Sequence, residues 1–361
     1  MFFTASNLVH YLLSRGLLRS ADVTGNAVMV LDARRRNRNF KVIIDAQRGL
    51  FVKQVSADDA ARRLTLEREI VCYQLAAQFP QWASLVPDLI DHDDRRQSLV
   101  LQLFPHAENI REYHVRVAAY STTIGGLIGE GLGRFHTAVP LSALSEKQQV
   151  FFRRKPSWIL SFKEANDGAS GAVVQLLRYL QEHPELAMRL ETLGSLWRFE
   201  HVIHGDMKWD NCIVFVDENQ EAQMKIVDWE LLDIGDSCWD IGGIFHSYWV
   251  HWIQYQVNRR VDHKDLNLFE EFAKAEALIA AMRAFWLAYI SALQLTGEAG
   301  EALLLRAIEH GAARLVLTVY ELAHEAARLF GETQLMLALS ERILAVPEQF
   351  AACLLQSIVD E

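Results

Sequence analysis

Two short motifs decide the fold of this chain: His-Gly-Asp-Met-Lys-Trp-Asp-Asn at residues 204–211 and Ile-Val-Asp-Trp-Glu at residues 226–230. They place an Asp, an Asn five residues later, and a second Asp after a short apolar run. Phosphoryl transfer from Mg-ATP requires this residue set, because a carboxylate accepts the proton of the attacking hydroxyl while hard oxygen ligands hold the metal. The motifs therefore predict phosphoryl transfer as the chemistry of this chain.

The first motif also has the H-R-D-x-x-x-x-N spacing of kinase catalytic loops, with Gly205 in place of the Arg. The chain resembles the aminoglycoside phosphotransferase family, in which the loop reads H-G-D-x-x-x-x-N and the metal motif reads D-W-E or D-W-D. A further mark of that family is present at Gly235, Asp236, Trp239 and Asp240. The resemblance is sharp over residues 199–245, moderate over 40–105 and weak beyond 250. It implies an α+β, bilobal protein-kinase-like fold with a small β-rich N-lobe and a large, mainly helical C-lobe.

The composition is that of a globular protein, with 361 residues, 51% hydrophobic and 23% charged. The net charge of −10 argues against a nucleic-acid partner, which needs a basic surface, and is compatible with a cationic substrate. Four scattered cysteines and the lack of a signal peptide predict a reduced, cytoplasmic setting. The apolar segment 277–295 carries Arg283, so it predicts a buried helix and no membrane partner.

The predicted N-lobe spans residues 1–104 and binds the nucleotide. Hydrophobic periodicity predicts a short N-terminal helix, an antiparallel sheet and one further helix, with elements at residues 5–18, 27–31, 40–44, 50–55, 58–79 and 99–104. The predicted C-lobe spans residues 105–361 and carries the catalytic loop and the substrate site. Its helices are predicted at residues 120–138, 171–183, 185–196, 262–296, 299–330 and 332–358. The hinge is predicted at residues 104–106, where Phe104 and His106 are expected to contact the nucleotide.

Asp206 is the predicted catalytic residue, a base that accepts the proton of the acceptor hydroxyl or orients it. A helix-capping or turn Asp is the alternative, and Asn211 and Asp228 decide against it because they complete the set. His204 is expected to orient the loop by hydrogen bonding rather than to react. Lys208 occupies the place of the catalytic-loop lysine of protein kinases, and contact with the transferred phosphate and a solvated surface position are equally compatible with the sequence.

Asn211 and Asp228 are the predicted Mg²⁺ ligands, because amide and carboxylate oxygens suit a small, hard cation. Glu230 stands where protein kinases have the Gly of D-F-G. That departure matches the small-molecule branch of the fold and argues against a mobile activation segment.

Lys53 is expected to bind the α- and β-phosphates from the third strand. Its acidic partner is Glu67 or Glu69, and Glu69 is favoured because it fits an acid followed by an apolar helix face. Only one of the two can point at Lys53, since positions two apart face different sides of a helix. The turn at residues 34–39 contains four arginines and no glycine, and within it Arg38 and Asn39 are expected to contact the phosphates. The family often has an Asn just before a strand here, and either Asn37 or Asn39 fits; an exposed basic turn is the alternative.

The sequence thus predicts an ATP- and Mg²⁺-dependent phosphotransferase that moves the γ-phosphate to a hydroxyl of an aminoglycoside-like or amino-alcohol-like small molecule; GTP remains open as the donor. One alternative is a Ser/Thr kinase of a precursor peptide in modified-peptide biosynthesis, which the basic run at residues 34–42 resembles as well. A second alternative is a pseudokinase binding scaffold, which the glycine-free turn favours and the complete set of polar residues disfavours.

Overall fold

The structure is a computed structural model that describes residues 2–25, 28–33, 37–161, 170–258 and 267–355. The chain divides into two compact units: unit 1 comprises Met1–Tyr113 and Asp210–Leu232, and unit 2 comprises His114–Trp209 and Asp233–Glu361. The single cut predicted after residue 104 does not describe this division, because the chain returns to unit 1 at Asp210, within the catalytic loop. An antiparallel sheet in unit 1 and a mainly helical unit 2 confirm the predicted α+β fold class.

Unit 1 contains the four strands predicted for the N-lobe, together with further strands such as Leu89–Asp93 and Glu108–Asn109. The strands of the two units are β1 (Met29–Asp32), β2 (Arg38–Ile43), β3 (Gly49–Gln54), β4 (Leu89–Asp93), β5 (Ser98–Leu103), β6 (Glu108–Asn109), β7 (His201–Ile203), β8 (Cys212–Val216), β9 (Ala222–Ile226) and β10 (Asp233–Gly235). In unit 1 the strands form one antiparallel sheet in the order β1-β2-β3-β5-β4 and another in the order β6-β8-β9, and in unit 2 β10 pairs with β7. The sequence did not predict β4, because Leu-Ile-Asp-His-Asp is poor in strand-forming residues.

The two faces of the larger sheet carry different side chains, since successive residues of a strand point to opposite faces. One face packs on the N-terminal helix in a hydrophobic core that contains Phe3, Leu8, Tyr11, Leu12, Leu18, Phe40, Val42, Leu50, Val52 and Val100. The opposite face carries Asn39 and Lys41 of β2 and Lys53 of β3, and Asn39 is paired directly with Lys53 across the strands. The face opposite the core therefore carries these polar residues together with the apolar Ile43 and Phe51.

The hairpin of β8 and β9 follows the catalytic loop and is held in unit 1. The Ile226 N–H donates to the Leu85 carbonyl at 2.7 Å. Just beyond the hairpin, the Trp229 ring packs against Trp82 with centroids 5.5 Å apart, and its Nε1 donates to the Ile226 carbonyl at 2.9 Å. These contacts hold the turn that carries Asp228.

The helices fill unit 2 and flank the sheet of unit 1. They are α1 (Ala5–Ser14), α2 (Ser20–Thr24), α3 (Ala60–Ala76), α4 (Pro80–Ala83), α5 (Ile110–Val117), α6 (Thr122–Ala138), α7 (Glu146–Gln149), α8 (Gly171–Glu182), α9 (Pro184–Ser195), α10 (Ser237–Asn258), α11 (Leu268–Ala273), α12 (Glu276–Ala292), α13 (Glu298–Ala323), α14 (Gly331–Ala345) and α15 (Pro347–Leu355).

Two helical predictions need correction. The sequence did not predict α10, because this helix is buried along nearly its whole length and lacks an amphipathic period. The predicted helix over residues 262–296 is two helices within its described part, because Ala275 between them leaves the helical region with φ −85° and ψ 61°. Residues 262–266 lie outside the described residues.

Helix α6 packs against α12 through glycines spaced four residues apart, Gly125, Gly129 and Gly133. A methyl group added at Gly129 would lie 2.0 Å from the Phe285 carbonyl oxygen of α12. This close packing also positions His136, which contacts Asp240, the residue that anchors the backbone of the catalytic loop. At the end of α6, His136 Nδ1 lies 2.8 Å from the hydroxyl of Tyr289 on α12.

We expect Gly129→Ala to lower the free energy of unfolding by about 1–3 kcal/mol, because the added methyl forces α6 away from α12. Gly126→Ala on the same helix is the matched control, since an added methyl there has no neighbour within 4 Å. That control should be neutral or stabilising by up to about 1 kcal/mol, because Ala is the better helix former. Urea unfolding of both variants measures the difference. Equal stability of the two would contradict the close packing of these helices.

Arg283 lies in the middle of α12 and donates to two backbone carbonyls of α15, Leu354 from Nε at 2.9 Å and Cys353 from Nη2 at 3.0 Å. The guanidinium thus stabilises packing between helices, and the prediction that this apolar segment is a buried helix is confirmed. Within the described ranges, no helix combines the length and the apolar character that crossing a bilayer requires.

Candidate active site

A cavity of about 470 Å³ in unit 1 lies against the face of the larger sheet that carries Lys53. Its apolar walls come from the sheet and from the segment after β5, including Ile43, Phe51, Leu101, Leu103 and Phe104. Its polar lining comprises Asn39, Lys41, Lys53, Glu69, Gln102, Asn109, Glu112, Asp210, Asn211 and Asp228. An apolar wall that faces converging polar groups is typical of a small-molecule or cofactor site.

Lys53 is held by three carboxylates of unit 1. Its ammonium lies 2.7 Å from Glu69 Oε2, 2.9 Å from Asp228 Oδ1 and 3.0 Å from Glu230 Oε2. Glu69 is buried on α3, whereas Glu67 is exposed on the same helix. Glu69 is therefore the acid that contacts Lys53 in this structure, and its role at the nucleotide stays a prediction.

Burial and charge act in opposite directions on the ionisation of this cluster. Burial, together with the neighbouring Asp228 and Glu230, raises the pKa of Glu69 to about 7, although the Lys53 ammonium favours its charged form. Burial also disfavours a charged Lys53, but the three carboxylates outweigh it and hold the pKa of Lys53 above its usual value. The lysine therefore stays cationic and compensates an otherwise strongly acidic cluster.

Asp228 adopts a backbone conformation that non-glycine residues rarely take, with φ 67° and ψ 56°. Trp229 and the short 3₁₀ turn Trp229–Leu231 follow it directly. Such a conformation costs of order 1–3 kcal/mol and persists only where the surroundings enforce it, which is common at functional sites. Trp229, which follows Asp228 directly, is fully buried.

The donor set around Asp228 suits a divalent cation. Asn211 lines the same cavity as Asp228, and its backbone carbonyl accepts a hydrogen bond from Val227 N at 2.9 Å. Among the described residues, carboxylate oxygens of Glu69, Asp228 and Glu230 lie within 4.8 Å of one another. Mg²⁺ prefers hard oxygen donors, and the carboxylate and amide oxygens of these residues are of that kind, so the donor set fits that ion.

In unit 2 the catalytic loop is fixed through its backbone. Asp240 of α10 accepts from His204 N at 2.6 Å and from Gly205 N at 3.0 Å. His136 Nε2 lies 3.2 Å from the same carboxylate. Gly205 has φ +82°, a left-handed conformation that glycine adopts without strain, and its carbonyl accepts from Trp239 Nε1 at 2.9 Å. The sequence motif places a glycine where the backbone must turn.

The Asp206 carboxylate lies between two cations of unit 2. Lys208 Nζ contacts its Oδ2 at 2.6 Å, and Arg314 Nη2 of α13 contacts its Oδ1 at 3.3 Å. Its backbone N–H donates to His204 Nδ1 at 3.2 Å, and the orienting role of that histidine stays a prediction. Burial alone would raise the pKa of Asp206, but the two cations outweigh it and keep that pKa below its usual value. Asp206 is therefore a carboxylate at neutral pH.

The predicted nucleotide contacts are not all brought together. Asn39 and Phe104 line the cavity, whereas Arg38 and His106 are not among its lining residues. Arg38 is on the other face of β2, where its Nη1 donates to the Phe3 carbonyl at 3.2 Å. His106 is exposed. Residues 34–36 of the basic turn lie outside the described residues.

The sequence interpretation missed several residues that the structure places at these sites. Lys41 and Glu112 line the cavity, Glu230 binds Lys53, and Arg314 contacts Asp206. Strand alternation from Asn39 signals Lys41, since both lie on one face of β2. The sequence carries no local signal for Arg314, which lies 108 positions beyond Asp206.

Comparison with known proteins agrees with this fold. Residues 28–288 match the model of a phosphotransferase enzyme family, APH. The fold is similar to that of an ethanolamine kinase of Plasmodium vivax, with a TM-score of 0.58 and 13% identity over 97% of this chain and 91% of that one. It is also similar to a choline/ethanolamine kinase family protein from Mesorhizobium loti, with a TM-score of 0.50 and 17% identity over 90% and 92% of the two chains. At this identity the two structures show the fold alone. A sequence search of curated proteins finds no significant match.

Proposed function

Because this chain belongs to the APH phosphotransferase enzyme family, we propose that it moves the γ-phosphoryl group of ATP, with Mg²⁺, to a hydroxyl of a small amino-alcohol-like or aminoglycoside-like molecule. As a member of that family it is a phosphotransferase with a hydroxyl acceptor; the donor, the metal and the acceptor class are the proposal. The observation that carries it is the cluster of Lys53, Glu69 and Asp228 in a cavity that Asn211 also lines.

Unit 1 supplies nucleotide binding in this proposal. The apolar walls of the cavity receive the base, and Lys53 binds the phosphates as a point charge. Glu69 remains the buried partner that aims the lysine, while Asp228 and Glu230 are the more exposed of its three carboxylates. Phosphate oxygens would replace those two carboxylates at the Lys53 ammonium.

Asn211 and Asp228 are the residues that would hold Mg²⁺, which when bound supplies positive charge to the phosphate oxygens. In this structure the Lys53 ammonium is the cation that contacts the Asp228 carboxylate. Release of Asp228 from Lys53 on nucleotide binding would free a carboxylate oxygen for the ion.

Unit 2 supplies the group that acts on the acceptor. Asp206 is ionised, is partly exposed and is held by a backbone-anchored loop, so it can accept the proton of the attacking hydroxyl. Asp206 and Asn211 belong to one loop and are five residues apart, which limits their separation to at most about 18 Å. Positioning and electrostatic stabilisation would provide most of the rate enhancement.

The acceptor class rests on charge and on similarity. The net charge of −10 favours a cationic acceptor, as amino alcohols and aminoglycosides are. The two similar structures are described as an ethanolamine kinase and a choline/ethanolamine kinase family protein, which puts amino alcohols first among the candidates.

The two alternatives have less support. The precursor-peptide reading depends on the basic turn, of which residues 34–36 lie outside the described residues and Arg38 contacts Phe3 instead of the cavity. The similar structures reported above are described as small-molecule kinases, and nothing in them favours a peptide. Nucleotide-binding experiments distinguish a pseudokinase scaffold from an enzyme.

The proposal is tested by a phosphotransfer screen of the purified chain with Mg²⁺ and ATP, then GTP. Pooled amino alcohols, aminoglycosides, sugars and Ser/Thr peptides are analysed by mass spectrometry for the gain of one phosphate. A gain on a small-molecule hydroxyl supports the proposal, and a gain confined to peptides overturns it. If no class gains phosphate and Mg-ATP does not raise the melting temperature, the scaffold reading replaces it, because a bound nucleotide stabilises the folded state by mass action.

We expect Glu69→Gln to lower kcat/KM for ATP by about ten- to a hundredfold. The amide cannot replace the charge-assisted hydrogen bond to Lys53, which contributes about 1.5–3 kcal/mol. Glu67→Gln is the matched control, since Glu67 is exposed two positions away and should leave the kinetics unchanged. Steady-state kinetics of both variants decide. Similar losses in both would show that the buried pair has no role in nucleotide binding.

A further inference from the structure

Arg314 of α13 is a buried arginine whose guanidinium meets the catalytic loop. It is 3% exposed, and its Nη2 lies 3.3 Å from Asp206 Oδ1. Its Nε and Nη1 have no hydrogen-bond partner among the described residues. A charge buried in this way is costly unless it is paired, so the contact with Asp206 is the one that compensates it.

The Arg314 guanidinium is closely packed, so its side chain has little freedom to move. Its Cζ lies 4.8 Å from the centre of the Trp239 ring, at a distance typical of a cation–π contact. On α10, a methyl group added at Gly243 would lie 3.1 Å from Arg314 Cζ and 2.1 Å from the Met207 carbonyl oxygen. The helix therefore has a glycine where the arginine and the catalytic loop both come close.

The two cations at Asp206 differ in their surroundings. Arg314 is buried and contacts Oδ1, whereas the side chain of Lys208 is 35% exposed and contacts Oδ2. A buried, packed guanidinium keeps its contact, while an exposed lysine on a flexible stem exchanges readily with solvent or ligand. The two carboxylate oxygens are thus chemically distinct.

We propose that Arg314 is a positioning residue for phosphoryl transfer: its buried guanidinium fixes Oδ1 of Asp206, so that Oδ2 is the oxygen that meets the acceptor hydroxyl once Lys208 moves aside. This inference rests on the proposed function. In the catalytic loop itself, the residue before Asp206 is the uncharged Gly205. The proposal therefore assigns the buried positive charge beside the Asp206 carboxylate to Arg314 of α13.

The charge around Asp206 gives the proposal a pH signature. The charged or titratable groups that face Asp206 are Lys208 and His204 of its own loop and Arg314 of α13. Asp240 of α10 accepts hydrogen bonds from the backbone of the same loop. Removing the Arg314 cation raises the pKa of Asp206, so a larger fraction is protonated at a given acidic pH. The acid limb of the kcat/KM profile then moves to higher pH.

The test compares Arg314→Met, Arg314→Lys and Arg306→Met in the full chain. We expect Arg314→Met to lower kcat by about a hundredfold through misplacement of Asp206, to leave KM for ATP unchanged, and to shift the acid limb upward by about one pH unit. Arg314→Lys keeps the charge and should retain the wild-type acid limb with a reduced kcat. Arg306 of α13 pairs with Asp236, so Arg306→Met controls for loss of a partly buried arginine on the same helix and should leave the acid limb in place.

A second readout does not depend on turnover. Carbon-13 NMR titration of the Asp206 carboxylate, assigned with Asp206→Asn, reports its pKa in the wild type and in Arg314→Lys even if Arg314→Met does not fold. The proposal predicts a pKa below the usual value in both. An ordinary pKa for Asp206 in the folded wild type, or a wild-type kcat and acid limb in folded Arg314→Met, overturns it. A low Asp206 pKa without any phosphotransfer would instead overturn the proposed function and leave the contact between Arg314 and Asp206 standing.

Discussion

Asp206→Asn is expected to lower kcat for phosphotransfer by about 10²–10⁴-fold while the affinity for Mg-ATP stays unchanged. The amide has nearly the shape of the carboxylate but cannot accept the proton of the acceptor hydroxyl. The loop itself should survive, because its anchors are the backbone bonds from His204 and Gly205 to Asp240. Steady-state kinetics and calorimetric titration with a non-hydrolysable ATP analogue separate the two effects.

Asp58→Asn is a suitable control for that variant, because Asp58 is exposed in unit 1 and lines no part of the cavity. It should leave both kcat and nucleotide affinity unchanged. A folded Asp206→Asn enzyme with a wild-type kcat would remove Asp206 from the mechanism. Loss of Mg-ATP binding in that variant would show that Asp206 acts on the nucleotide instead of the acceptor.

Lys53→Met is expected to have the second large effect, a fall in kcat/KM for ATP of about 10²–10³-fold. The variant removes the cation that binds the phosphates and leaves Glu69, Asp228 and Glu230 as a negative cluster that repels them. It also leaves Glu69 buried without its partner, which should lower the free energy of unfolding by about 3–5 kcal/mol unless the acid takes up a proton. Kinetics and urea unfolding measure the two losses.

The double variant Lys53→Met/Glu69→Gln separates stability from catalysis. Removing both charges relieves the unpaired buried carboxylate, so the free energy of unfolding should recover by a large part of the loss. Activity should not recover, because the phosphates still lack their cation. Recovery of kcat/KM together with stability would mean that the loss in Lys53→Met came from misfolding, and that Lys53 does not bind the phosphates.

The parts of the site that follow from local patterns were predictable. Alternation along β3 placed Lys53 on the face opposite Val52, and helix periodicity separated Glu69 from Glu67. The motif spacing identified Asp206 and Asn211 as members of one loop. Each of these inferences needs residues that are close in sequence or lie on one regular element.

The parts that depend on tertiary packing were not predictable. Arg314 contacts Asp206 through the packing of α13 on α10, whose backbones meet at Gly242 while Gly243 leaves space for the guanidinium, and no local pattern indicates this. Arg38 was expected at the nucleotide because it belongs to a basic turn, but strand β2 already includes it and turns it to the face opposite Asn39. Charge alone does not determine which face of a strand a residue occupies.

The most direct test of the account is transfer of an isotopically labelled γ-phosphoryl group from ATP, in the presence of Mg²⁺, to a panel of hydroxyl acceptors, followed by mass spectrometry. The account predicts the label in a phosphate ester of a small-molecule acceptor with the wild type, and its absence with Asp206→Asn or after chelation of the metal. A folded wild type that binds Mg-ATP yet transfers no label to any acceptor class, or equal labelling by Asp206→Asn, would contradict it.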